Sequence, residues 1–314
     1  MSDPSPLVVI LGPTASGKSA LAIEVARRWH GEVVCCDSTQ LYRHFDIGTS
    51  KVRGTEQSGI PHHLMDLLEP GEVFTAGDYR RHALEVLAGL RSRARLPVIT
   101  AGTGLYLRAL LEGLAEAPGR SEEIRERLRR RSRSRGSEYL HRLLARLDPP
   151  SASRIASGDS SKLIRAIEVC LVSGRPMSEV LRRPRPRLEG FLPVKIGLMP
   201  PRAALYARIE RRTRAMLASG WLEEVRALVA RGLDPALKPF QFIGYGELRA
   251  HLAGVVELDS AVRAIQQATR RYAKRQITWF RRETAVQWFD NFGDDPVLLE
   301  SVFAHLSTLL APPS

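Results

Sequence analysis

Cysteine is scarce: Cys35, Cys36 and Cys170 are the only three in 314 residues, and no C-x-x-C pair exists. That excludes a cysteine-paired zinc finger and suits a reducing cytosol. Cys35 and Cys36 are adjacent in an apolar run and read as small buried hydrophobes. Long apolar runs are also missing. None approaches the ~18 residues of a membrane span, so no membrane association is expected. The opening "MSDPSPLVVILG" has no basic segment ahead of a long apolar one. It does not read as a signal peptide, and the cytoplasm is the expected compartment. Acid is the third shortage. Against 47 lysines and arginines stand 34 aspartates and glutamates, a net charge of +13. An excess of this size points to a polyanion, RNA or DNA before an anionic membrane; the alternative is a generally arginine-rich proteome.

What is present is a soluble-protein composition, 44% hydrophobic, in a chain long enough for two domains. Leu7–Leu11 is a short continuous apolar run, as a buried parallel strand requires. Lys18–Trp29 follows as a helix stopped at Gly31. "EVVCC" to Cys36, "PVITA" to Ala101, "VKIGLM" from Val194 and "VQWFD" near the end give four further strands, with helical patterns between them. That alternation predicts an α/β fold: a mostly parallel sheet with helices on both faces. From about Leu114 to Arg187 the strand pattern stops. Arg120–Arg146 holds ten arginines with Ile124, Leu128, Leu140, Leu143, Leu144 and Leu147 at helical spacing, broken only at Asp148-Pro149-Pro150. A second helix covers about Ser161–Val172, and "RRPRPR" (Arg182–Arg187) reads as a stiff basic linker. The expected organisation is a core of residues 1–114 and 188–314 interrupted by a small all-helical domain, 115–187. Late in the core, Ala261–Arg282 carries seven arginines and lysines and no acid.

Gly12-Pro13-Thr14-Ala15-Ser16-Gly17-Lys18-Ser19 fits G-x-x-x-x-G-K-[ST], with the strand and helix where they must be. Glycines let backbone N–H groups curl round an anion, and the helix N-terminus adds its dipole. Lys18 supplies a mobile cation and Ser19 a hydroxyl for Mg²⁺. Such loops usually hold a nucleoside triphosphate such as ATP, but the pattern specifies polyphosphate and not which one.

Asp37 closes a strand near that loop, where carboxyl ends of parallel strands line a ligand crevice. Three roles stay open for it: a carboxylate behind Mg²⁺, a general base on an acceptor group, or the cap of a turn. "AGTGLY" (Ala101–Tyr106) ends another strand, and Thr103 there could bond a phosphate oxygen, though a plain turn explains it as well. His62 and His63 point to opposite faces if extended, which argues against one shared metal.

The segments "GPTASGKS", "DSTQLYR", "GTSK", "PHHLMD", "AGTGLYLRALLEG", "RAIEV", "RIERRTRAML", "IGYGEL" and "TRRYAKRQITWFRR", in this order, resemble the bacterial tRNA dimethylallyltransferases across roughly residues 7 to 290. The resemblance implies a P-loop sheet core and transfer of a dimethylallyl group from dimethylallyl diphosphate to N6 of the adenosine 3′ of the anticodon. By it, the loop Gly12–Ser19 holds a diphosphate leaving group with Mg²⁺ on Ser19. Asp37, Lys18, Thr103 and Arg212 carry catalysis. The tRNA anticodon stem-loop meets Asp37, Ser38, Thr39, Gln40, Thr103, Arg125, Ser161, Lys162, Arg165, Gly244, Tyr245, Lys274, Arg275, Gln276, Trp279 and Arg281. The chemistry agrees: a departing diphosphate needs cations and N–H donors, a poor amine nucleophile gains from a carboxylate that takes its proton, and a base must leave its stack to be modified. Some positions depart from the family pattern. Ser161 stands where Gln or Arg is usual, Lys162 where Arg is usual, Gly246 where a base is common, and Ala101 replaces a glycine. A monomer is expected. Competing readings are a small-metabolite kinase using ATP, a prenyltransferase of free adenine nucleotides, and an RNA-binding protein without catalysis.

Overall fold

The computed structural model describes residues 4–182 and 184–310. The first three residues of the N-terminal stretch and Arg183 of the basic linker lie outside them. The chain divides into two compact units, Met1–Leu111 with Leu188–Ser314, and Glu112–Arg187.

In chain order the elements are β1 (Ser5–Leu11), α1 (Lys18–Arg28), β2 (Gly31–Cys36), β3 (His62–His63), α2 (Ala76–Ser92), β4 (Leu96–Ala101), α3 (Gly104–Glu112), α4 (Glu122–Arg135), α5 (Ser137–Leu147), α6 (Pro149–Ala152), α7 (Ser160–Ser173), α8 (Met177–Val180), β5 (Phe191–Leu198), α9 (Arg202–Ala218), α10 (Trp221–Ala230), α11 (Tyr245–Leu252), α12 (Leu258–Phe280), β6 (Val286–Phe289) and α13 (Pro296–Ser307). The strands form one six-stranded sheet, β3-β2-β4-β1-β5-β6. Every pairing is parallel, with Val8 opposite both Val98 and Val194. β1 shows why its sequence is apolar without alternation. Leu7, Val9 and Leu11 enter one core with Leu41, Tyr42 and Phe45, while Val8 and Ile10 enter another with Leu21 and Val25. A strand covered on both faces needs apolar residues at every position.

The structure adds β3, a two-residue edge strand too short to show a period. In the other unit it corrects the single arginine-rich helix expected up to Asp148. The helix breaks at Gly136, whose φ of 78° and ψ of 163° end α4 and start α5. Leucine spacing runs through the break because both helices turn their leucines to one core, built from Leu128, Leu140, Leu144, Leu163 and Ile167. Glu168 on α7 is wholly buried beneath this surface.

Candidate active site

The phosphate loop leaves β1 and enters α1 at the carboxyl edge of the sheet. Ala15 and Gly17 both hold left-handed φ, 63° and 89°. Gly17 is the N-cap of α1 and offers no side chain to its first-turn amides, which leaves those donors for an anion. A Cβ on Gly17 would meet the Gly293 nitrogen at 2.6 Å. The Gly293 amide in turn donates to the Ser16 carbonyl at 2.8 Å. The loop is therefore strapped from behind by Phe292–Asp294, and Asp294 forms a two-pronged bond with Arg208 at 2.7 Å. Nothing in the sequence motif announced this strap, which lies some 280 residues downstream.

Lys18 donates to the Gly12 and Pro13 carbonyls at 3.0 and 2.9 Å. Arg212, on α9, reaches Thr14 Oγ1 at 3.4 Å and the Ser50 hydroxyl. Both cations are thus held by neutral oxygens. Burial pushes the Lys18 ammonium down to about 8, with the Asp37 carboxylate opposing and Arg212 adding to the fall. Burial also lowers Arg212, to about 10, with Arg208 contributing. Both cations are desolvated, Lys18 also feels the Arg212 charge, and an anion bound beside them would relieve both.

Asp37 follows β2, although β4 stands between β2 and β1. Its Oδ1 accepts from the Thr39 amide at 2.8 Å and the Thr39 hydroxyl at 2.7 Å. A Cβ on Gly102 would lie 2.1 Å from Asp37 Oδ2, so the "AGTG" turn needs glycine there to admit the carboxylate. Thr103 turns its hydroxyl to Ser38. Its hydroxyl accepts from the Ser38 amide at 2.9 Å and meets the Ser38 hydroxyl at 3.2 Å. Gln40 turns inward to the Thr49 and Ser50 carbonyls, at 3.1 and 3.2 Å.

Thr14, Asp37, Thr39 and Arg212 share a cavity of about 300 Å³ with Ile209, Met216, Trp221, Phe242, Ile243 and Arg275. The lining combines polar and cationic side chains with apolar ones. These apolar lining residues carry no pattern in the sequence that singles them out, since Met216, Trp221 and Phe242 lie far apart along the chain. Glu224 shapes that lining from outside: the carboxylate accepts from the Asp46 and Ile47 amides at 3.1 and 2.8 Å and from the Tyr245 hydroxyl at 2.7 Å.

Several expected RNA contacts are placed otherwise. Tyr245 is fully buried, its hydroxyl on Glu224. Gly244, with φ of 98°, lies against the Trp221 ring, 2.0 Å from a Cβ it lacks. Gln276 is only 6% exposed, on the stripe of α12 that also buries Ala273 and Phe280. Arg125 sends its guanidinium into Glu168 through two bonds of 2.8 and 2.9 Å. Each is engaged by partners inside the fold, which residue type alone does not reveal. Lys274, Arg275, Trp279 and Arg281 do stand on the exposed side of α12 and its end. In the other unit Ser161 is exposed, Lys162 pairs with Asp159 at 2.6 Å, and Arg165 bonds Glu168 at 2.6 Å and the Pro118 carbonyl at 2.9 Å.

Among the described residues, no group of three or more His, Cys, Asp or Glu side chains is placed to hold a metal ion. His63 bonds Glu32 at 2.6 Å instead. Ser19 stands in the first turn of α1. One hydroxyl beside a polyphosphate site fits Mg²⁺, which keeps several waters and takes its other ligands from phosphate oxygens. No helix among the described residues is long and apolar enough to cross a membrane.

The family model described as IPP transferase matches residues 40–283. The tRNA dimethylallyltransferase of Solibacter usitatus is 47% identical over 305 residues, 97% of this chain and 99% of the relative. That of Koribacter versatilis is 49% identical over 308 residues, 98% and 100% respectively. Among solved structures, the full-length tRNA isopentenylpyrophosphate transferase of Bacillus halodurans superposes with a TM-score of 0.71 at 35% identity, covering 97% of this chain and 96% of that one.

Proposed function

The chain belongs to the IPP transferase family, and from that premise we propose that it is a tRNA dimethylallyltransferase acting as a monomer in the cytoplasm. It moves the dimethylallyl group of dimethylallyl diphosphate to N6 of the adenosine 3′-adjacent to the anticodon and releases diphosphate. One observation carries this reading: Arg212 and Asp37 line a cavity together with the apolar side chains of Ile209, Met216, Trp221, Phe242 and Ile243, and the desolvated Lys18 stands on the adjoining phosphate loop. A diphosphate joined to a small branched hydrocarbon matches that polarity.

In the transfer, the N6 lone pair forms a bond to the allylic carbon C1 while the C1–O bond breaks. The bonding electrons leave on the diphosphate oxygen, and the proton on N6 passes to the Asp37 carboxylate. Charge grows on the leaving oxygens, where Lys18, Arg212 and the first-turn amides of α1 face it, preorganised donors of the kind that stabilise such charge. Mg²⁺ held on Ser19 would supply further neutralisation of the diphosphate. Thr39 fixes one oxygen of Asp37 and leaves the carboxylate oriented on the cavity. Thr103 holds Ser38 beside it. Ser38 and Thr39, which line the cavity, are assigned to the edges of the extruded adenine, with Gln40 behind them on the Thr49 and Ser50 carbonyls. Lys274, Arg275, Trp279 and Arg281 offer phosphate contacts and a stacking face to the anticodon loop. Arg165, Ser161 and Lys162 are assigned to the same tRNA.

The test is mass spectrometry of nucleosides from unmodified tRNA incubated with the protein, Mg²⁺ and dimethylallyl diphosphate, with ATP in a parallel tube. A prenyl mass on adenosine establishes the transfer. ATP consumption with no modified nucleoside would overturn it in favour of a kinase.

A further inference from the structure

Two loops have to be kept in one geometry for this reaction: Gly12–Ser19, which faces the leaving group, and the turn around Gly102, which packs on the proton acceptor Asp37. They hang from different strands, β1 and β4. Above the sheet, one side chain joins them. Gln276 Oε1 accepts the Thr14 amide at 2.7 Å, and its Nε2 donates to the Gly102 carbonyl at 2.8 Å. The Gly102 and Thr103 amides both donate to the Cys36 carbonyl, at 3.0 and 2.9 Å, so the turn is fastened directly to the residue before Asp37. Gly102 also presses on the Asp37 carboxylate, with no room for a Cβ between them. The path from Thr14 through Gln276 to Gly102 and Asp37 is continuous, and every link but that last packing contact is a hydrogen bond.

The orientation of the amide is dictated from both ends. Thr14 N–H can only donate and Gly102 C=O can only accept, so one partner must carry an acceptor and a donor on adjacent atoms. Among side chains of this length only glutamine does. A glutamate would set a carboxylate oxygen against the Gly102 carbonyl, and an apolar residue would leave the Thr14 amide unpaired and the Gly102 carbonyl with only the Tyr272 hydroxyl, at 3.3 Å. Gln276 also withdraws the Thr14 amide from the anion.

Resting on the transferase reading above, we propose that Gln276 is a positioning residue, which sets the distance and angle between the proton acceptor and the leaving-group loop, and not an RNA contact. Bond formation between two bound reactants requires near-attack alignment, and a misplacement on the order of 1 Å costs about 100-fold in rate.

The test compares the wild type with Gln276→Ala, Gln276→Asn and Gln276→Glu. Single-turnover transfer is measured at saturating dimethylallyl diphosphate and anticodon stem-loop, alongside dissociation constants for each. The expected result is a fall of about 30- to 100-fold in the single-turnover rate of all three, with both dissociation constants within about threefold of wild type. Asparagine fails with the others because its shorter reach makes only one of the two bonds, which separates bridging from mere amide polarity. An increased dissociation constant for RNA with an unchanged single-turnover rate would overturn the proposal, and so would wild-type rates in the asparagine or glutamate variant. Should alanine fail to fold, those two variants decide alone. Absence of transfer in the wild type is a separate result, and it fails the transferase reading rather than the bridge.

Discussion

Two cationic centres in this molecule, both partly withdrawn from solvent, use their charges to opposite ends. In the helical unit, Arg125 and Arg165 converge on Glu168, and the Ser121 amide adds a bond of 2.7 Å. Burial pushes that carboxyl up, but bonds from Arg125, Arg165 and Ser121 outweigh it and hold it at about 2. In the sheet unit, Lys18 and Arg212 rest on carbonyl and hydroxyl oxygens, and both are lowered. The first centre is complete within the fold. The second is complete only with an anion. A buried cation that already has its carboxylate is part of the architecture; one held by neutral oxygens marks a binding site.

The comparison breaks most sharply at its two carboxylates. Asp37→Ala is expected to lower transfer by about 1000-fold, the middle of the range for general-base effects, with tRNA affinity and melting temperature nearly unchanged. A rate near wild type would remove Asp37 from the proton's path. Glu168→Ala should do the reverse, destabilising the helical unit by about 3–5 kcal/mol through two uncompensated guanidinium groups, as read by denaturant unfolding. Because Glu168 sits near 2 against an ordinary 4.5, its contribution is full above pH ~4.5 and vanishes as pH falls through ~2. The variant should lose that acid dependence.

A smaller effect sharpens the second centre. Lys18 at about 8 is charged below that pH and neutral above it in the empty site. The dissociation constant for dimethylallyl diphosphate should therefore rise toward tenfold per pH unit above ~8, and Lys18→Arg should flatten the profile. A flat wild-type profile between pH 7 and 10 counts against Lys18 as a diphosphate ligand. Smallest of all, Arg127→Ala with Arg130→Ala, both on the exposed side of α4, should weaken tRNA binding severalfold and reduce its salt slope by about 2. Melting would not move, whereas Arg125→Ala should lower the melting temperature.

The phosphate loop, its flanking strand and helix, and Asp37 were legible in the sequence because each is a local pattern. The loop's residues are consecutive, and an apolar run ending in a lone carboxylate announces itself. The pairing of Arg125 with Glu168 was not, since 43 residues separate them and the arginines around Arg125 look alike until one is turned inward. Gln276 was hidden for a related reason. Hydropathy assigns glutamine to the wet side of a helix, and only the backbone groups of Thr14 and Gly102 explain why this one faces the dry side. Gly136 shows the converse: leucines kept helical spacing through a real break.

The sheet order has one more consequence. The loops that face the leaving group and the acceptor grow from β1 and β2, with β4 between them. Neighbouring strands lie about 4.8 Å apart, so the roots of the two loops stand roughly 10 Å from each other. That gap admits an amine, an allylic carbon and a diphosphate in line. It is a ruler made of backbone pairing. A circular permutant that keeps the strand order should preserve it, while exchanging β4 and β2 would halve it and carry the Gly102 turn away from the phosphate loop.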